Sequence, residues 1–159
     1  MSDGKPPKKK LGAYDPSVAG AAIDPDKEVR VLIAEDNAYM REHLRGMLEA
    51  DGMTVVGEAA DGLEAVAMFE ELRPDAVVMD LVMPNLDGIG AITKIIGIDD
   101  DARIVVCSGL GSDAEVANAI AAGALDFLVK PFQVERVATV IRSVLPGVVP
   151  LTGRSEAFD

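Results

Sequence analysis

The sequence predicts an α/β fold: a doubly wound, five-stranded parallel sheet with helices on both faces. Three observations carry this prediction. Short runs of Val, Ile, Leu and Ala alternate with segments whose apolar residues recur at helical spacing. The runs are apolar throughout rather than at every second residue, which implies a sheet covered on both sides. The runs also stop on acidic, hydroxyl or basic residues, so polar chemistry gathers at one end of the strands.

The elements follow in order. Val29 to Ala34 reads as a buried strand that stops at Glu35-Asp36. Met40, Leu44, Met47 and Leu48 then mark a helix that Gly52 ends. Thr54 to Ala59 is the second strand. Asp61 with Glu64 forms a capping-box pattern, and Val66, Phe69 and Leu72 line the helix it opens. Ala76 to Met79 is the third strand and ends at Asp80. Ile89, Ile92 and Ile96 mark the third helix, and Ile104 to Cys107 the fourth strand, ending at Ser108. Ser112 with Glu115 caps a helix running to Gly123. Leu125 to Val129 is the fifth strand, ending at Lys130, and Val134, Val137, Ile141 and Val144 face inward from the last helix. Right-handed crossovers then favour the flavodoxin-like order 2-1-3-4-5.

The chain has 159 residues, which suits one domain with tails. Residues 1–27 read as a flexible arm: Lys5, Pro6, Pro7, Lys8, Lys9 and Lys10 open a Gly-, Ala- and Pro-rich stretch without periodicity. The packed unit spans 28–146. A helix-breaking Pro146-Gly147-Val148-Val149-Pro150 then leads into a polar tail over 147–159. A net charge of −12 argues against nucleic acid as the main partner, since phosphate binding needs clustered Lys and Arg. No window reaches the roughly 18 apolar residues of a membrane span, and the N-terminus lacks a signal-peptide core. A cytoplasmic protein is the default. A single cysteine excludes an internal disulfide and a cysteine-based zinc site.

In such folds ligands sit beyond the carboxyl ends of the strands, at the switch point between the first and third. Glu35, Asp36 and Asp80 therefore converge on one crevice, where their repulsion calls for a cation or protonation. Oxygen ligands without His or Cys select Mg²⁺ or Mn²⁺. Ser108 and Lys130 on the other side supply a hydrogen-bond donor and a point charge, which suit an incoming phosphoryl group. Each element alone is weak; their joint occurrence in this order is specific.

With these residues in place, Val29 to Leu145 resembles the receiver domain of two-component response regulators. The resemblance rests on Glu35-Asp36, Asp80-Leu81-Val82-Met83-Pro84, Asp87-Gly88, Ser108 and Lys130-Pro131. It implies that Asp80 accepts a phosphoryl group from a sensor histidine kinase. Asp36, Asp80, Glu35 and the backbone carbonyl of Val82 would hold Mg²⁺. Lys130 would neutralise the phosphoryl oxygens, and Ser108 would move to bond one of them. Phe127 falls at the aromatic switch position, often Tyr, so a role needing its hydroxyl is lost here. The resemblance also implies a cis bond at Lys130-Pro131 and output through the fourth helix, fifth strand and fifth helix. The chain is similar to stand-alone chemotaxis regulators of the CheY type, whose target is a protein such as a flagellar switch component. An external phosphatase is a further partner, because Val82 and Leu110 flank the path of a hydrolytic water and are both apolar. A phosphorelay intermediate, or a regulator of another pathway, is the alternative within the family.

Outside it, a Mg²⁺-dependent aspartyl-phosphate hydrolase of the haloacid-dehalogenase type needs an acid two residues after its nucleophile. Val82 and Ala38 stand there instead, so the chain is not expected to be a turnover enzyme. A dinucleotide site lacks its Gly-rich fingerprint after strand one. His43, Cys107, Met40 and Met47 read as structural.

Overall fold

The computed structural model describes residues 28–109 and 111–146. The expected arm over 1–27, the tail over 147–159, Leu110 and the side chain of Val134 lie outside the described residues. The elements alternate as expected: β1 (Arg30–Ala34), α1 (Ala38–Ala50), β2 (Thr54–Ala59), α2 (Gly62–Leu72), β3 (Ala76–Met79), α3 (Gly88–Ile98), β4 (Ile104–Ser108), α4 (Asp113–Ala122), β5 (Asp126–Val129) and α5 (Val134–Val144). All strand pairs are parallel, in the order β2-β1-β3-β4-β5. The expected topology is therefore the observed one.

The caps explain where the helices start. Asp61 accepts the Glu64 N–H at 2.8 Å, and Ser112 accepts the Glu115 N–H at 3.2 Å. In the first of these the Glu64 carboxylate returns to the Ala60 N–H at 2.7 Å, completing the reciprocal cap one residue further out than the standard box. Two caps were not anticipated: Asn37 opens α1 by accepting Met40 N–H, and Asp87 opens α3 by accepting Gly90 N–H. Ser108 lies within β4, opposite Val129, rather than just beyond the strand. Pairing with β5 extends the ladder by that one residue.

Alternate residues of the central strands go to opposite faces, as the pleat requires. Val31, Ile33, Val78, Val105 and Cys107 pack with Leu44 and Leu48 of α1 and Val137 and Ile141 of α5. Leu32, Val77, Met79 and Val106 pack with Phe69 of α2, Ile92 and Ile95 of α3 and Ala119 of α4. Phe69 is the largest side chain buried on that face, and truncating it to Ala would cost about 3–5 kcal/mol. Both faces are closed, so only the strand ends and loops are left to present polar groups. Among the described residues no helix is long and apolar enough to cross a membrane.

Candidate functional site

Parallel strands aim their carboxyl ends the same way, so the residues after them meet at one edge. Hydrogen bonding continues just past β1 and β3: Asp80 N–H donates to Ala34 O at 3.0 Å, and Glu35 N–H donates to Ala59 O at 2.9 Å. This places Asp80 against the Glu35-Asp36 turn. One carboxylate oxygen from each of Glu35, Asp36 and Asp80 lies within 4.8 Å of the others. Glu35 is 2% exposed and Asp80 7%, whereas Asp36 faces solvent.

Lys130 follows β5, at the far end of the strand order from β2. Its N–H donates to Ser108 O at 2.7 Å, and the Lys130-Pro131 bond is cis, as expected. From there the long side chain spans the edge. Nζ donates to Glu35 Oε1 at 2.7 Å and to Asp80 Oδ2 at 3.4 Å. Ser108, fully buried, lies on β4 between β3 and β5.

The electrostatics follow from burial. Glu35 is pushed above the usual carboxylate range by burial, against the Lys130 and Asn37 bonds, with Asp80 adding to the rise. For Lys130, burial works to lower the ammonium pKa, but the bond to Glu35 and the field of Asp80 outweigh it, and the net direction is upward. Three acids and one base leave the crevice short of positive charge. The donor set is all oxygen, which fits a hard divalent cation and not zinc.

Val82 sits beside this cluster, 56% exposed, with its N–H donating to Asp80 Oδ1 at 3.3 Å. Phe127, on β5, is half-buried against the core on the α2–α4 face.

Residues 31–142 match the response regulator receiver domain family. The chain belongs to that family. It is 50% identical to the chemotaxis protein CheY of Thermotoga maritima, over 72% of this chain and 96% of that one. It is 47% identical to CheY of Bacillus subtilis, over 73% of this chain and 97% of that one. Among solved structures it resembles the CheX–CheY–BeF3–Mg²⁺ complex of Borrelia burgdorferi, with a TM-score of 0.70 and 32% identity, covering 72% of this chain and 87% of that one. The chain is thus a receiver domain of the CheY type, a signalling domain, with the fold of its solved relatives.

Within this receiver, two positions around the acids escaped the sequence reading. Arg41 Nη1 donates to the backbone carbonyl of Glu35 at 2.7 Å, while its Nε lies 3.5 Å from Glu58 Oε1. Asn37 N–H donates to Glu35 Oε2 at 3.1 Å, so both oxygens of Glu35 are held, one by Asn37 and one by Lys130. Asn37 carries a readable signal, a good N-cap residue directly after the acid pair. Arg41 carries none, since many exposed helix positions are Arg. His43 is exposed on α1 and belongs to neither acid cluster of the described residues. Cys107 is buried, and burial pushes its thiol up to about 12, which leaves it protonated and inert.

Proposed function

We propose that this chain is a chemotaxis-type receiver that accepts a phosphoryl group from a histidine kinase onto Asp80 and signals through its α4-β5-α5 face. One observation carries the reading: a buried carboxylate, Asp80, stands at a strand end between an acid pair and a lysine ammonium. In the reaction an oxygen of Asp80 attacks phosphorus. The bond from phosphorus to the donor's imidazole nitrogen breaks, and the leaving nitrogen keeps the electron pair. Lys130, already within reach of Asp80, offsets charge on the phosphoryl oxygens, and the Ser108 hydroxyl donates to one of them. Glu35, Asp36, Asp80 and the Val82 carbonyl would hold Mg²⁺, or Mn²⁺ in its place. When bound, that ion supplies positive charge to the acid cluster and to the transferring group.

Val82, whose N–H bonds Asp80, is apolar and offers no base to an attacking water. The chain is therefore read as a signalling domain whose phosphoryl group is removed slowly or by a separate phosphatase. Similarity to CheY over nearly the whole length of those relatives supports a place in chemotaxis, with a flagellar switch component as target and a cytoplasmic location. Residues 28–146 form the receiver unit in this reading, with 1–27 as an arm and 147–159 as a tail.

Incubation with Mg²⁺ and phosphoramidate, followed by intact mass measurement, should show one added phosphoryl group on wild type and none on Asp80→Asn. An unmodified wild type, or a modified Asp80→Asn, would refute the assignment. Chemical shifts of the phosphorylated form should change along α4, β5 and α5. Changes confined to α1 and α2 would exclude this output face.

A further inference from the structure

The segment from Leu81 to Gly88, between β3 and α3, carries Val82 and so part of the proposed metal site. It has two fixings. At its base, Gly88 N–H donates to Leu81 O at 2.8 Å. Gly88 lies so close there that a Cβ would sit 2.2 Å from Asp80 O, which only glycine permits. Towards its tip, Asn85 Nδ2 donates to Asp61 Oδ2 at 2.6 Å, across 24 positions of sequence.

Asp61 itself uses both carboxylate oxygens. Its other oxygen, Oδ1, caps α2 at Glu64 N–H, and Glu64 returns to Ala60 N–H. The carboxylate is kept below its ordinary range by the Glu64 N–H first and the Asn85 amide second. Asn85 adopts φ 68°, the left-handed region that Asn tolerates better than most residues. Beside this bond the loop lies flat on the helix start, for a Cβ on Gly62 would meet Leu86 O at 2.0 Å. A charge-assisted bond and a close backbone contact thus tie the loop to α2, an element that contributes no residue to the acid crevice.

We propose that Asp61 and Asn85 are positioning residues, a clasp that fixes the β3–α3 loop and through it the Val82 backbone beside Asp80. This rests on the reading of Glu35, Asp36, Asp80 and Val82 as the Mg²⁺ site. The clasp acts without touching ion or phosphoryl group. It also links the metal site to the N-terminus of α2.

Electrostatics and positioning predict opposite outcomes for one substitution. Asn85→Asp sets two carboxylates against each other and breaks the clasp, yet it adds negative charge near the crevice. Charge alone would tighten Mg²⁺ binding. Loss of positioning loosens it, by about tenfold if the clasp ranks with the partners that orient metal ligands. Adding Asp61→Asn restores a donor–acceptor pair of reversed polarity, keeps a good N-cap and should return affinity to within about twofold of wild type. Asn85→Gly keeps the left-handed backbone without the side chain and should also loosen binding.

The experiment is calorimetric Mg²⁺ titration of wild type, Asn85→Asp, Asn85→Gly and the Asp61→Asn/Asn85→Asp double variant, together with amide exchange at Leu86 and Gly88 in the metal-free proteins. Exchange should rise in both single variants and fall back in the double one. Unchanged or tighter Mg²⁺ binding by Asn85→Asp and Asn85→Gly, with wild type binding normally, would overturn the clasp alone. A double variant no better than Asn85→Asp would do the same. A wild type that binds no Mg²⁺ would overturn the underlying site assignment and the clasp with it.

Discussion

In each of two acidic trios of the described residues, one carboxylate oxygen per residue lies within 4.8 Å of the others: Glu35, Asp36 and Asp80, and Asp99, Asp100 and Asp101. They differ in how they are made. The second is one contiguous run at the end of α3, where Asp99 O accepts Ala102 N–H at 3.0 Å and Asp99 Oδ1 accepts Asp101 N–H at 2.9 Å. Its proximity is a by-product of a turn, and it precedes β4 at the end of the sheet opposite the crevice. The first trio is assembled from two strands, buries two of its members and faces a lysine from a third strand. Such a crowd of like charges costs stability, so it calls for a compensating group. Closeness of acids alone therefore says little; burial and origin in separate elements say much more.

The sharpest way to break this contrast is phosphorylation itself. Asp80→Asn should abolish uptake from phosphoramidate, whereas replacing Asp99, Asp100 and Asp101 together by Asn should leave it unchanged, both read by intact mass. Equal loss in the two would erase the distinction. Next in size is the cation. Lys130→Met should slow phosphorylation by about 100-fold, in line with removal of one preorganised charge donor, as followed by the initial rate with Mg²⁺ present.

Metal linkage comes third. Mg²⁺ at a hundred times its dissociation constant should stabilise wild type by about 2.7 kcal/mol, seen as a higher melting temperature. The Asp99–Asp101 variant should show the same rise. Asp80→Asn should lose the rise but melt higher than wild type without metal, by about 1 kcal/mol or ~4 °C, because one like charge has left the cluster. A metal-free Asp80→Asn that melts below wild type would contradict the crowded geometry. The smallest effect concerns the rim. Val82→Asn with Leu110→Glu makes polar the two positions that the sequence leads one to expect beside the path of the hydrolytic water, so the phosphorylated protein should decay several-fold faster. Decay no faster than wild type would show that these apolar side chains do not set the lifetime.

Much of this molecule was legible beforehand because its rules are short-ranged. Apolar runs and helical spacing locate the ten elements of the described residues to within a few residues, and Asp61 and Ser112 announce their helices as caps. Strand order followed from the handedness of crossovers, which places Asp80 beside Glu35-Asp36 and brings Lys130 to the same edge. From the sequence, Lys130 is expected to face a phosphoryl group. The structure shows it held first by Glu35, at 2.7 Å, with Asp80 further off at 3.4 Å.

The sequence by itself thus determined the elements, their order and the list of polar residues at the strand ends. Periodicity, caps and chirality act within a turn or a crossover, and they are written locally. Only the tertiary structure decided which partner each side chain takes: Lys130 on Glu35 across 95 positions, Arg41 on the Glu35 carbonyl, Asn85 on Asp61. Those choices depend on the reach of a side chain over a finished sheet edge and on close backbone contacts such as Gly62 against Leu86 and Gly88 against Asp80. Neither exists until the strands have paired.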